Sequence, residues 1–443
     1  MRLLTGSRVQ PGLTLALAGL AALLALRLAL YLPTASTRPS HGFGAVYVLG
    51  RLLSQGQDLS QSYDDAWFSA QVARALPGIS DVNINPPPLA LAALPLALLD
   101  YTSARTLWTV LSLLCLGWAV YTILRHLDLD RRAGLVLVAY GLAAQPVWAN
   151  FQQGQIYLIL LALLVLAWQG YRAGQSRRLG VTLGVLAVFK LAGLFLWPLL
   201  LVQRRWRALA WGGLTVLTVG LLSLPVVGWE AWRVYPQALL RYNSDPSLAV
   251  TAYQTQLGLL WHLFTSDAPW NPTPLAVAPL LATWLPRLSF VPLLGLPLLC
   301  AWGPADESAR ADLLFAALVT ANVILSPLSL DYHYPLLLLP TAILMAHTRR
   351  SSVWAWFLLG LSMLLIGADL PYRLPPDGSA FPQAWLAYPK LYGAWLVWGL
   401  AVWELSRRRA RAKWRAGEGP ESAYYPAVHY RPGGRGAATR GTG

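Results

Sequence analysis

Runs of about 15–22 apolar residues recur along almost the whole chain, from Gly12 to Leu405, and each is close to the roughly 20 residues that cross a bilayer core as a helix. A helix satisfies its own backbone polar groups in lipid, where no water can do so. The runs are too many and too long for one soluble core. The chain is therefore expected to be an all-α polytopic membrane protein. Composition agrees: 56% of the 443 residues are hydrophobic and 12% charged, about half the charged share of a soluble domain.

The net charge is +15, from 34 Lys and Arg against 19 Asp and Glu. The basic residues fall in short hinges between apolar runs: Arg2/Arg8, Arg125/Arg131/Arg132, Arg172/Arg177/Arg178, Arg204/Arg205/Arg207, Arg349/Arg350 and Arg407/Arg408/Arg409/Arg411. That distribution orients membrane helices; it is not a nucleic-acid surface, and membrane lipid is the expected partner. If every hinge faces the cytoplasm, an even number of crossings separates each pair. The chain then lays out as about twelve transmembrane helices: 11–32, 105–124, 133–149, 155–171, a broken pair over 179–202, 208–227, 288–303, 311–327, 334–347, 352–368 and 388–405. The segment 86–99 carries four prolines and reads as a re-entrant or interfacial helix. Residues 1–405 form one transmembrane domain, with 33–87 as its first extracytoplasmic loop. Residues 406–443 read as a basic, disordered cytoplasmic tail. Met1–Gln10 with the first run reads as a retained signal anchor. Cys115 and Cys300 both lie in apolar runs and imply neither a disulfide framework nor a metal site.

Polar residues that orientation does not explain collect on the outer face. The first loop holds Asp58, Asp64, Asp65 and Asp81 and ends in Asn83-Ile84-Asn85-Pro86-Pro87-Pro88. A carboxylate beside a water-poor cavity can serve as a general base; Asp64 or Asp65 could equally cap a helix through Trp67 and Phe68. Lys190 sits inside an apolar run, in a chain with three lysines. A charge at that depth marks function by default, and an ammonium suits a phosphate, although a lysine can also snorkel to the surface. Asp331-Tyr332-His333-Tyr334 stands at a span boundary, where His333 is either a donor to phosphate or an interfacial histidine among aromatics. Asn150, Gln152, Gln153 and Gln155 are amides suited to sugar hydroxyls, and amides also close helical hairpins. No P-loop, no Cys/His metal spacing and no G-x-S-x-G stands in the sequence, so no metal or cofactor is expected.

These blocks together resemble glycosyltransferase family 87, the polyprenol-phosphate-dependent enzymes of the GT-C membrane fold. The resembling pieces, in order, are Phe43-Gly44-Ala45-Val46-Tyr47, Asn85-Pro86-Pro87, Gly154-Gln155-Ile156-Tyr157, Phe189-Lys190 and Ser326-Pro327 with Asp331 and His333. The resemblance implies a membrane transferase of a hexose, mannose first, from a polyprenyl-phosphate sugar to a lipid or glycan acceptor, with inversion, on the outer face of the cell membrane. It implies a first-loop carboxylate as base, and Lys190 and His333 on the donor phosphate, with Asp331, Asn85, Gln153 and Gln155 binding substrate. The family's Asp just before the aromatic block has no counterpart here, which moves the expected base to Asp64 or Asp65. A lipid-linked sugar flippase and an inactive homologue are the alternatives.

Overall fold

The computed structural model describes residues 11–301, 307–349, 351–374 and 383–415. Arg2, Arg8, Arg350 and the tail beyond Arg415 lie outside the described residues. Those described are helical or loop, and the one bridge, Asp267 to Asn271, is isolated.

Helix α1 (Pro11–Thr37) is apolar on every face apart from Arg27 and leaves Leu15 and Leu30 more than two-thirds exposed, the surface of a helix that meets lipid. The segment after it is folded: α2 (His41–Ser54), a 3₁₀ turn at Leu59–Tyr63 and α3 (Asp65–Ala75). The proline-rich segment forms only a short helix, α4 (Leu89–Ala97), packed against α2. Gly50 permits that packing, since a Cβ there would meet the Ala93 carbonyl oxygen at 2.6 Å.

Asp100 caps α5 (Tyr101–His126) by accepting from the Ser103 N–H at 2.9 Å. Asp130 does the same for α6 (Arg131–Ala143). The sequence predicts one straight span over 133–149, but α6 gives way at Ala144 to α7 (Gln145–Gln153), bent by 41°; Pro146 cannot continue the α6 ladder. Helix α8 (Tyr157–Arg172) returns to a basic end. The break expected near Lys190 is present: α9 (Ser176–Lys190) stops there, and α10 (Trp197–Val202) follows a 3₁₀ turn.

Helices α11 (Trp206–Val227), α12 (Trp229–Tyr242) and α13 (Gln256–Phe264) lead to α14 (Pro279–Leu288) and α15 (Phe290–Cys300). Then come α16 (Glu307–Leu325), α17 (Leu338–His347), α18 (Val353–Gly367), the single turn α19 (Gln383–Leu386) and α20 (Pro389–Arg415). Helix α20 runs well into the region read as a disordered tail. Among the described residues, five helical segments are long and apolar enough to cross a membrane, with α14 and α15 counted as one, and six if the bent α6–α7 pair is one span; α8 and α18 are shorter apolar helices.

The core lies where α8, α16, α17 and α20 meet around Trp168, Phe315, Leu339 and Ala394. One end of the bundle is sealed by buried ion pairs. Asp312 accepts from Trp168, Arg172 and His347, and Glu404 pairs with Arg407 and Arg408. The opposite end, where α8 begins at Tyr157 and α9 ends at Lys190, is open and polar.

Candidate functional site

Lys190 owes its position to a backbone turn. Leu191 takes φ 52°, a left-handed conformation that costs a β-carbon residue about 1–3 kcal/mol, and Gly193 at φ 71° completes the reversal. Helix α9 therefore ends with Lys190 at the open end of the bundle. Its Nζ donates to Oδ1 of Asn85 at 2.6 Å and lies 5.9 Å from the Tyr157 ring centroid. Asn85 is itself held: its N–H and Nδ2 donate to Asn83 Oδ1, Asn83 Nδ2 donates to Ser62, and the Tyr63 hydroxyl donates to the Asn85 carbonyl.

His333 packs against two aromatics, tilted on Tyr157 at 4.0 Å between centroids and stacked on Tyr332 at 4.9 Å. Its Nδ1 accepts from the Leu330 N–H at 3.1 Å, so the ring proton of the neutral imidazole is on Nε2. The ring is thereby fixed as a donor.

Two cavities meet at Lys190. One, of about 720 Å³, is walled by apolar groups including Leu194, Phe195, Leu325 and Phe290, and takes in His333. The other, of about 730 Å³, is polar and lined by His41, Asp81, Gln152, Gln153, Gln155 and Arg373, among others. Ile84, Lys190 and Leu328 line both. Asp81 is the first-loop carboxylate of the polar cavity. Burial pushes its carboxyl above the usual carboxylate range, while the Val82 N–H, His41 and Lys190 draw it back. His41 Nδ1 donates to the Ser80 carbonyl at 2.7 Å, which brings the histidine to the same short segment.

The remaining expected site residues divide. Asn85, Gln153, Gln155, Lys190 and Asp331 line the polar cavity, and His333 the apolar one. Asp331 is buried and engaged: it accepts from Gln145 at 3.0 Å, from Tyr372 at 3.2 Å and from Arg373 at 2.6 Å. Its effect in the cavity is to hold Arg373. Asp64 and Asp65 line neither cavity. Asp64 caps α3 by accepting from the Trp67 N–H at 2.9 Å, and Asp65 accepts from the Tyr242 hydroxyl and pairs with Arg241 at 3.4 Å. Asn150 donates to the carbonyls of Pro146 and Tyr332 and so joins α7 to the His333 segment.

Sequence reasoning passes over His41 and Arg373, names Tyr157 only within the Gly154-Gln155-Ile156-Tyr157 piece, and keeps Asp81 only as a neighbour. The signals were thin: His41 lies two residues before Phe43, and Asp81 two before Asn83. A buried arginine supports the amide wall from behind. Arg105 is fully buried and donates to the Phe151 carbonyl and to Thr109, and Trp108 donates to the Gly154 carbonyl at 2.9 Å. Gly154, at φ 66°, leaves no room for a Cβ against Phe43 and Arg105.

The sequence model of glycosyltransferase family 87 matches residues 83–327, more than half of the chain. The stretch takes in Asn85, the amide wall and Lys190. The chain is 24% identical over 320 residues to a polyprenol-phosphate-mannose-dependent alpha-(1-2)-phosphatidylinositol pentamannoside mannosyltransferase of Mycolicibacterium smegmatis, covering 70% of this chain and 72% of that one. No solved structure matches.

Proposed function

Because the chain belongs to glycosyltransferase family 87, we propose that it is a multi-pass membrane transferase with a GT-C-type bundle of about twelve crossings. It moves a hexose, with mannose first, from a polyprenyl-phosphate sugar to a lipid or glycan acceptor at the outer face of the cell membrane. The relative's mannose donor supports the sugar. The carrying observation is the meeting of an apolar and a polar cavity at one ammonium, that of Lys190. A polyprenyl phosphate has the same two-part character, an apolar chain joined to an anionic head.

In this reading the prenyl chain occupies the apolar cavity and the sugar reaches past Lys190 into the polar one. The acceptor hydroxyl gives its proton to the Asp81 carboxylate. Its oxygen forms the new bond to the anomeric carbon from the face opposite the phosphate. The bond from that carbon to the phosphate oxygen breaks, its electron pair leaves on polyprenyl phosphate, and the anomeric configuration inverts. Lys190 and the Nε2–H of His333 oppose the growing phosphate charge, and preorganised donors in a water-poor site are worth several kcal/mol, about 3 for a single one. The role of base, expected at Asp64 or Asp65, passes in this proposal to Asp81, because helix capping and the Arg241–Tyr242 clamp already engage the other two.

The test is purified protein in liposomes with polyprenyl-phosphate mannose, glucose and galactose in turn, products identified by mass spectrometry. Release of polyprenyl phosphate with glycosylated product is expected from one donor. Donors that stay intact but change leaflet would replace the transferase by a flippase.

A further inference from the structure

A third cavity, of about 1050 Å³, runs along the outside of the bundle between α1 and α18, with α6 and α7 as its floor. Both α1 and α18 pack on α6 and α7, and the groove is what lies between them. It shares Gln145, Ala149, Gln152 and Asp369 with the polar cavity, so the two adjoin across these residues. The polar cavity is therefore bordered on two sides: by the apolar cavity at Lys190, and by this groove at Gln152 and Asp369.

The groove's flanks are apolar. Leu23, Leu26 and Leu30 on α1 and Leu364 on α18 are exposed. Amid them stands Arg27, a charge inside the apolar helix α1. Its guanidinium lies over the Trp148 ring, 4.6 Å from the centroid, and among the described residues it has no carboxylate in an ion pair. A cation kept within a membrane-spanning segment and facing a cavity marks a ligand pathway. Asp369 is the carboxylate of this cavity, at the end that joins the polar one.

We infer that this groove is a second lipid site, distinct from the donor's, which admits a membrane lipid with an anionic headgroup, and that Arg27 holds the headgroup phosphate while the acyl chains stay between α1 and α18. Its use as the acceptor's route to Asp81 rests on the transferase reading; the site itself does not. Donor and acceptor would then approach the reacting centre from opposite sides of the α7 amide wall.

The site is tested without turnover. Full-length protein in nanodiscs is given a trace of phosphatidylglycerol with a diazirine in its acyl chain, or phosphatidylcholine with the same chain, then irradiated and its labelled peptides mapped. The expected result is several-fold more labelling of α1, α6–α7 and α18 by phosphatidylglycerol. The excess should disappear in Arg27→Gln, return in Arg27→Lys, and persist under excess polyprenyl phosphate. Equal labelling by the two lipids, or no change in Arg27→Gln, would mean annular lipid only and overturn the site. Displacement by polyprenyl phosphate would make the groove part of the donor site and overturn its independence. Asp81→Asn provides the separation: it should label as the parent does, so loss of transfer and loss of labelling report on different claims.

Discussion

The Nζ of Lys190 lies 2.6 Å from Oδ1 of Asn85, tying the end of α9 to the first-loop segment across 105 positions of sequence. Each residue is useful to the other. The amide oxygen meets one of the ammonium's three donors and fixes its direction, and the ammonium holds the Asn85-Pro86-Pro87 corner at the wall between the two cavities.

Lys190→Met should therefore remove phosphate stabilisation and preserve the apolar stem. The expected loss in kcat is about 10²–10³-fold, the scale for one preorganised donor to a developing anion. Asn85→Ala leaves the ammonium in place but unaligned, so a smaller loss is expected, with the donor KM rising. Steady-state kinetics on the purified protein decide; unchanged kcat and donor KM in Lys190→Met would take the ammonium out of the reaction.

For the base, the comparison is between carboxylates. Asp81→Asn should lower transfer by about 10²–10⁴-fold, the usual contribution of general acid–base chemistry, while Asp64→Asn and Asp65→Asn keep most of it. A fully active Asp81→Asn would return the role to the α3 pair.

The same assignment has a pH signature. The base must be ionised, so kcat/KM should fall as pH drops through the Asp81 pKa. Burial raises that pKa, which puts the fall above the usual carboxylate range. His41 acts in the opposite sense, since it helps hold the carboxylate ionised. His41→Gln should thus move the acid limb to higher pH, with the plateau rate changed less than the midpoint. A midpoint that stays where it was would mean that His41 only braces Ser80.

His333 calls for a variant that separates stacking from donation. His333→Phe keeps an aromatic ring against Tyr157 and Tyr332 and removes the Nε2–H, together with the Nδ1 that accepts from Leu330. If the histidine acts on phosphate, this variant should lose about 10²-fold in kcat, with only the modest fall in melting temperature that losing the Leu330 hydrogen bond brings. Equal activity would reduce His333 to the packing its 4.0 Å approach to Tyr157 supplies.

What could be read from the sequence follows how local each cause is. Apolar runs and basic hinges are local, so the helical membrane class is legible from them. The interruption at Lys190 is legible for a similar reason: the run over 179–202 must leave and return between two basic hinges, and it is too short for two full crossings. The fate of Tyr63-Asp64-Asp65 is not local. Asp64 reads as a helix cap or a base with equal ease, and the partners that engage Asp65 are Arg241 and Tyr242, some 177 positions away. Asp81 differs from them in the cavity it lines with residues of α2, α7 and the Tyr332 segment, an arrangement that leaves no trace in its sequence neighbours. The α6–α7 bend is a partial case: Pro146 announces a break, but its angle depends on what α7 packs against.

The α9–α11 pair carries the last prediction, because it sets where Lys190 stands. Lipid offers no hydrophobic drive for two helices to associate, so close backbone packing must hold them. Gly184 shows how close this pair is: a Cβ there would meet Cβ of Thr215 at 2.6 Å and the Gly212 carbonyl oxygen at 2.8 Å. Gly213, on the same helix as Gly212, has nothing within 4 Å of its Cβ position. Gly184→Leu should separate the helices at the typical overpacking cost of about 1–3 kcal/mol, read as a lower melting temperature of the detergent-solubilised protein. It should also displace α9 with Lys190 at its end, so transfer should fall further than stability alone explains. Gly213→Leu introduces the same side chain into open space and should leave both unchanged. Equal melting temperatures for the two variants would show that α9 and α11 do not depend on this contact, and that the position of Lys190 is set by the Leu191 turn and Asn85 instead.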